Sequence, residues 1–450
     1  MRDAAKQILW PVKGVETDAA YHDIAPAGAQ RAYAAPFAMN VRVRGTIEER
    51  RRGGSRPGMK AVEGVAAESG GRWLWPSGEP VLWPDGAETT FSSDEVFLAP
   101  DGSRVIMPHA VPRVAASAGD APEGVTIATF YRARLFAAKG TDWFCSRIGD
   151  AADWDYGADR DDVARACAGN VALAGRKGDA VTAFMPVNDS MLYIATARSL
   201  WCLTGDPCGG TIGCVSDEVG ISGAAAWCWS GSRLFFLGSD GMYGLVPGEH
   251  PVHLSGAIPQ LKGDASAFMG YDPKENALHV FTTAGDWFVD LNGETPSFWP
   301  VSFGTGLRPV AIGTAMVGGE NMAVFRGADG AWRQFADNVP CETSSNVALG
   351  PFRISADDST DGFLAELHAA TAQGSASVLA YVYTGRTAEE AVKAAILNTQ
   401  FSVFTFTGGY NAVWRPRVRG AWCVIVLASE GKWAYESILA KLKHTGRLRP

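Results

Sequence analysis

The sequence predicts an all-β chain. It is a six-bladed β-propeller over residues 61–349, with an extended basic arm over 1–60 and a β-sandwich or jelly-roll-like domain over 350–450. Three observations predict this. First, glycine makes up 52 of 450 residues and comes with 15 Trp and 21 Phe, the composition of many short strands joined by tight turns. Second, Trp143, Trp201, Tyr243, Trp287 and Trp332 recur at gaps of 58, 42, 44 and 45 residues. A period of ~40–50 residues with several strands per unit marks a propeller blade, whose faces are covered only when blades stack. Third, the last hundred residues turn to longer alternating strands with one helical stretch.

Each blade reads as an apolar strand, a polar turn, an alternating strand, a second turn and an aromatic-bearing strand. Val125–Asp150, Val181–Pro207, Ser222–Gly248, Ala265–Gly293 and Pro309–Asp337 all fit, with the five aromatics as blade anchors. The turns Ser239-Asp240-Gly241 and Ala328-Asp329-Gly330 carry hairpin chemistry, and they lack the complete Asp-box pattern of sialidase-like propellers. Strand-like pieces around Trp73-Leu74-Trp75, Val81–Trp83 and Glu95–Ala99 supply the sixth blade. The long first gap is an acidic insertion, 147–178. Beyond 350, strands are expected at Gly362–Ala370, Ser377–Thr384, Phe401–Thr407, Trp422–Ala428 and Trp433–Lys441, with a helix over Thr387–Ile396 opened by a Thr387…Glu390 cap.

The net charge of −8 is unevenly spread. Residues 41–60 carry +5 and the last forty carry +6, which leaves −19 on the other 390. Basic ends would find partners, while an acidic middle repels polyanions. In the arm, Arg42, Arg44, Arg50, Arg51, Arg52 and Arg56 have no interleaved aromatics for base stacking. They are expected to pair with carboxylates of a neighbouring subunit or adaptor, so deleting residues 1–60 should leave the propeller folded and abolish assembly.

The sequence carries no catalytic motif, and no cofactor is expected. The chain has no phosphate-binding P-loop, no G-x-S-x-G elbow and no H-E-x-x-H, so an enzyme is not predicted. Asp153, Asp155 and Asp159 form a weak calcium candidate, because Ala164 stands where an EF-hand loop needs its Glu. Cys202, Cys208, Cys214 and Cys228 lack C-x2-C spacing and read as small buried hydrophobes. The first residues contain no secretion-type apolar core, and the run Trp422–Ala428 is too short to span a bilayer, so no membrane anchor is expected.

Several motifs in order resemble tailed-bacteriophage virion proteins. They are Asn40-Val41-Arg42, Arg52-Gly53-Gly54-Ser55-Arg56-Pro57-Gly58, Asp153-Trp154-Asp155-Tyr156-Gly157, Glu218-Val219-Gly220-Ile221, Asp240-Gly241-Met242-Tyr243 and Trp414-Arg415-Pro416-Arg417. The chain looks like the propeller-bearing nozzle or plug proteins of short tails. That resemblance implies a homohexameric ring that docks on the head-to-tail adaptor, extends and closes the DNA channel and takes part in genome ejection. It also implies contacts with fibres or spikes, passage of genomic DNA without sequence readout, and a place in the virion tail after assembly in the host cytoplasm. The alternative is a carbohydrate-binding or glycoside-cleaving propeller acting in receptor recognition.

Overall fold

The computed structural model describes residues 3–24, 32–48, 50–62, 96–98, 104–106, 121–157, 161–172, 178–317, 319–357, 360–399, 401–408 and 412–448. The chain is all-β, with antiparallel sheets throughout and helices only at Tyr21–Ile24 and Ala388–Ile396 among the described residues. No described helix is long and apolar enough to cross a membrane.

Five four-stranded sheets follow one another. Sheet I holds Ile127–Tyr131, Arg134–Lys139, Asp142–Cys145 and Cys167–Asn170, and sheet II holds Val181–Asn188, Met191–Thr196, Leu200–Thr204 and Thr211–Ser216. Sheet III runs Trp227–Ser230, Arg233–Leu237, Met242–Leu245 and Val252–His253; sheet IV runs Phe268–Asp272, Ala277–Thr282, Gly285–Asp290 and Ser297–Val301. Sheet V takes Pro309–Val317, Glu320–Gly327 and Trp332–Ala336 in order, but its fourth strand is Gly58–Ala61. First strands pack side by side between sheets I and II, III and IV, and IV and V. Every residue of Ala277–Thr282 is therefore buried, as a strand covered on both faces requires.

The hairpin turns explain the tight meanders. Arg132 and Ala133 both lie at positive φ (53° and 55°), the backbone of a two-residue turn matched to strand twist. At the Asp329-Gly330 turn, Gly330 takes the left-handed position at φ 78°.

Two five-stranded sheets make up the C-terminal part. Sheet VI orders Asp3–Ile8, Tyr435–Leu448, Thr360–Thr371 and Ala412–Trp414, with Val418–Gly420 also on Thr360–Thr371. Sheet VII orders Ala38–Met39, Ser345–Arg353, Trp422–Ser429, Val378–Gly385 and Phe401–Phe406. Alternation decides the layering. Leu349, Val382 and Ile425 of sheet VII share a core with Leu364, Leu367 and Ile438 of sheet VI, while Ala348, Val424 and Val426 face Ala391 and Val392 of the helix. Thr387 caps that helix by accepting from the Glu390 amide, and Glu390 accepts in return from the Arg386 amide.

Three expectations are corrected. The N-terminal sixty residues are no free arm: Asp3–Ile8 completes sheet VI, Ala38–Met39 edges sheet VII, and Gly58–Ala61 closes sheet V, because each finds an open ladder within its own chain. Between them, Trp10 stacks with Trp299 of sheet IV (6.1 Å) and meets Trp433 (6.0 Å). A Cβ on Gly53 would lie 2.0 Å from the Trp10 ring, so only glycine lets the backbone approach it. Second, the boundary expected at 349 and 350 falls inside the strand Ser345–Arg353, which belongs to sheet VII throughout. Third, the 147–178 insertion yields Cys167–Asn170 as the fourth strand of sheet I. The expected strands around Trp73 and Val81 lie outside the described residues; within that upstream stretch, Val96–Leu98 pairs with Arg104–Ile106.

Candidate functional site: an arginine and aromatic junction

The hairpin Val41–Arg44 with Arg51–Ser55 lies where sheets IV, VI and VII meet, with Arg42 reaching Phe335 of sheet V, and its arginines separate into two groups. Arg42 and Arg56 are buried (1% and 0% exposed) and engaged by their own chain, so neither reaches a neighbouring subunit. Arg56 donates Nε to Asn40 Oδ1 (3.0 Å), Nη1 to Pro57 O (2.8 Å), and Nη2 to Ser302 O (2.6 Å) and Glu342 Oε2 (2.7 Å). Asn40 sits in the left-handed region at φ 56°. Its side chain also donates to Ser302, Thr343 and Ser344, tying the hairpin to the connection that leads into sheet VII.

Arg42 donates Nη1 to Glu275 Oε1 at 2.8 Å, and its guanidinium lies 4.1 Å from the Phe288 ring centroid and 4.6 Å from that of Phe335. Its Nε and Nη2 are buried without a hydrogen-bond partner. Arg52, about nine-tenths buried, pairs with Glu436 of sheet VI and donates to Ile47 O (2.9 Å). Arg44, Arg50 and Arg51 are exposed; Arg50 contacts Glu48 at 3.3 Å and Arg51 contacts Asp290 at 3.7 Å. Arg42, Arg44 and Arg51 also line a pocket of about 250 Å³ against sheet IV, together with Lys274, Glu275 and Phe288.

His279 lies behind Arg42, fully buried among Phe288, Phe325 and Phe335. Its Nε2 is 3.8 Å from Asp272 Oδ2, an electrostatic contact too long for a hydrogen bond. Burial pushes the imidazole pKa down, and nearby Arg42 lowers it further, against the pull of Asp272 and Glu275. For Asp272 burial pushes the carboxyl up, but His279 and Arg42 outweigh it and hold the group low. The folded chain therefore keeps His279 neutral where the unfolded chain protonates it. Stability is expected to fall as pH drops below the ordinary imidazole value of 6.5, by up to ~1.4 kcal/mol per pH unit. The Asp272 contribution is lost only at lower pH, as its depressed pKa is passed. Urea melts from pH 7.5 to 5 check this; His279→Phe should flatten the slope, and an unchanged slope would assign the loss elsewhere.

The blade-anchor aromatics occupy matching places. Trp143, Trp201, Tyr243 and Trp287 are buried on the third strands of sheets I to IV, opposite Ala138, Ile194, Phe236 and Val280. Trp332 starts the third strand of sheet V opposite Arg326 and is half-buried.

The calcium candidates do different work. Asp153 Oδ1 accepts from the Asp155 amide (3.0 Å) and Asp155 Oδ1 from the Gly157 amide (2.8 Å), so each carboxylate caps its own turn; Asp159 lies outside the described residues. Among the described residues no group of three or more His, Cys, Asp or Glu could hold a metal ion. What organises this loop is Arg134, which sequence reasoning missed. It is fully buried and donates to the carbonyls of Ser146, Val163, Ala164 and Arg165. Glu275, Glu342 and Asp272 were missed as well, since they stand more than 200 residues from the arginines they face. The cysteines also regroup: Cys145 and Cys167 face each other across the sheet I ladder at 3.2 Å, and the hydrogen bond with Cys145, then burial, push the Cys167 thiol well up.

No family model matches this chain, and no curated protein matches it. Among solved structures, the extracellular domain of a hybrid two-component system from B. thetaiotaomicron is similar at TM-score 0.30 and 9% identity, over 52% of this chain and 27% of that one. The Malassezia sympodialis allergen Mala s 1 is similar at TM-score 0.28 and 12% identity, over 50% of this chain and 74% of that one. A chain of the S. cerevisiae complex of dbp5 with nup159 and gle1 gives 0.26 and 8%, over 51% and 79%.

Proposed function

We propose that this chain is a structural subunit of a bacteriophage tail, forming a homohexameric nozzle or plug ring that docks on the head-to-tail adaptor and extends and closes the DNA channel. In this reading sheets I to V are propeller blades, the segment around Val96–Leu98 and Arg104–Ile106 supplies a sixth, and sheets VI and VII are a sandwich-like terminal domain. The observation that carries it is the motif hairpin. Of the residues through which the sequence resembles phage tail proteins, Asn40 and Arg56 bond to Ser302 after sheet IV and to Glu342, Thr343 and Ser344 just before sheet VII, while Arg42 holds Glu275 of sheet IV and Gly58 pairs with Ala336 of sheet V. A rigid joint of this kind suits a subunit that holds its shape inside a ring.

An acidic body supports passage of DNA without retention, and exposed Phe401 and Val403 on the edge strand of sheet VII offer apolar surface for a second copy to cover. Arg50, exposed at the hairpin beside Glu48, is placed to meet a neighbouring carboxylate as well. Mass photometry and negative-stain imaging of the purified chain, alone and with the adaptor, are expected to show rings of six copies. A strict monomer under both conditions would overturn the proposal.

A further inference from the structure

We infer that Cys145 and Cys167 are a dithiol modification site, which a low-molecular-weight disulfide of the glutathione class converts to a cross-strand disulfide in sheet I. This inference does not rest on the tail-ring reading. The two residues are directly opposed in the antiparallel ladder between Asp142–Cys145 and Cys167–Asn170, with their Sγ atoms 3.2 Å apart and both thiols free. Opposed residues in such a ladder have Cα atoms ~4.5–5.5 Å apart, inside the ~4.4–6.8 Å that a disulfide spans. Small side-chain rotations therefore bring the sulfurs to bonding distance without moving the strands. Two further features hold this register. Trp143 stands opposite Gly169, where a Cβ would lie 2.5 Å from the indole, so a slip that put any other residue there is blocked. Buried Arg134 donates to the carbonyls of Ser146, next to Cys145, and of Arg165, two residues before Cys167, so one guanidinium fixes the backbone beside both cysteines.

Exposure assigns the roles. Cys167 is half-buried and within reach of a small oxidant, while Cys145 is fully buried behind it. Cys167 attacks one sulfur of oxidised glutathione, its proton passing to the glutathione thiolate that leaves. Cys145 then attacks the Cys167 sulfur, and its proton goes to the second departing glutathione. Two protein thiols lose two electrons, the disulfide of the oxidant is reduced to two thiols, and one S–S bond forms in the protein. Cys208, the third thiol of the cluster, hydrogen-bonds with Cys167 but donates to the Arg165 carbonyl at 3.3 Å and stands outside the ladder, which leaves Cys145 as the partner. The hydrogen bond with Cys145 and burial hold the Cys167 thiol up, so the exchange is slow near neutrality and quickens as pH rises. The product ties down Cys167–Asn170, the edge strand of sheet I, so that it cannot peel from its neighbour.

The test exposes the folded full chain to oxidised glutathione at alkaline pH, alkylates the remaining thiols under denaturing conditions and maps tryptic peptides by mass. Trypsin cuts after Arg147 and Arg165, so Cys145 and Cys167 fall on separate peptides. One internal disulfide is expected, joining those two peptides with the loss of two hydrogens and releasing them on reduction. Glutathione carried by exposed Cys214 is counted apart, by its added mass. Cys145→Ser should stop at a mixed glutathione disulfide on Cys167, and Cys208→Ser should leave the internal bond intact. If either variant fails to fold, the peptide map of the parent chain still decides. A parent chain with no bond between Cys145 and Cys167 after prolonged exposure overturns the site. A bond between Cys167 and Cys208 overturns the pairing, and a mixture of pairings like that of the urea-unfolded chain overturns the claim that the ladder selects these two thiols.

Discussion

A chain that begins at residue 61 is expected to lose its cooperative fold rather than only its ability to assemble. The truncation removes six registered pairs between Asp3–Ile8 and Ile438–Lys443 of sheet VI, and it removes most of the strand that closes sheet V opposite Arg333–Ala336. It also takes away Ile8, Trp10, Val15, Tyr33, Val41 and Val43, all buried. At ~1.5–3 kcal/mol for each large apolar side chain, their removal costs on the order of 10 kcal/mol, comparable to the whole ~5–15 kcal/mol that keeps a domain folded. Far-UV circular dichroism melts and limited proteolysis report the outcome. A truncated chain that stays soluble and melts cooperatively within a few degrees of the parent would restore the picture of a detachable arm.

Replacing Arg56 by Met is expected to cost about 3–5 kcal/mol, the range for breaking a buried ion pair from one side. The methionine keeps much of the side-chain volume between Phe303 and Phe335, but it leaves Glu342 Oε2 without its donor and removes the guanidinium from Ser302 O and from Asn40 Oδ1, which keeps the Ser302 amide. The Glu342 carboxylate is 15% exposed, so water satisfies it poorly. Adding Glu342→Gln to Arg56→Met should recover part of the loss, because the orphaned charge is gone. Guanidinium melts resolve both steps, with exposed Arg50→Ala as a near-neutral comparator. A loss under ~1 kcal/mol for Arg56→Met would mean that the junction holds without its cation.

What could be read from the sequence was local. The all-β character, the aromatic third strands and the Thr387 cap all follow from periodicity and turn chemistry within about fifty residues. Trp143, Trp201, Tyr243 and Trp287 share a register because strand and turn lengths repeat. The partner of each open edge was not legible. Nothing in Gly58–Ala61 specifies Arg333–Ala336, since strand pairing depends on which ladder stands vacant after the rest has packed. Charge patterning misled for the same reason: Arg42 and Arg56 look like surface cations until Glu275 and Glu342 arrive from distant turns. The Asp153 and Asp155 carboxylates looked like ion ligands because a metal loop and an Asx turn use the same residue type for the same lone pairs. Cysteine grouping by spacing set Cys145 and Cys167 apart, and the ladder puts them face to face.

The pairing of Asp3–Ile8 with Ile438–Lys443 has a consequence for the way the chain is made. A ribosome releases the first strand more than four hundred residues before its partner exists, so sheet VI cannot form until Ile438–Lys443 has emerged. Sheet V waits in the same way, with Gly58–Ala61 held in reserve until Arg333–Ala336 emerges. Each closure waits for a partner hundreds of residues downstream, and high sequence separation makes each of them slow. Until then the nascent protein carries unpaired strand edges, which makes early chain ends and stalled fragments its most aggregation-prone forms.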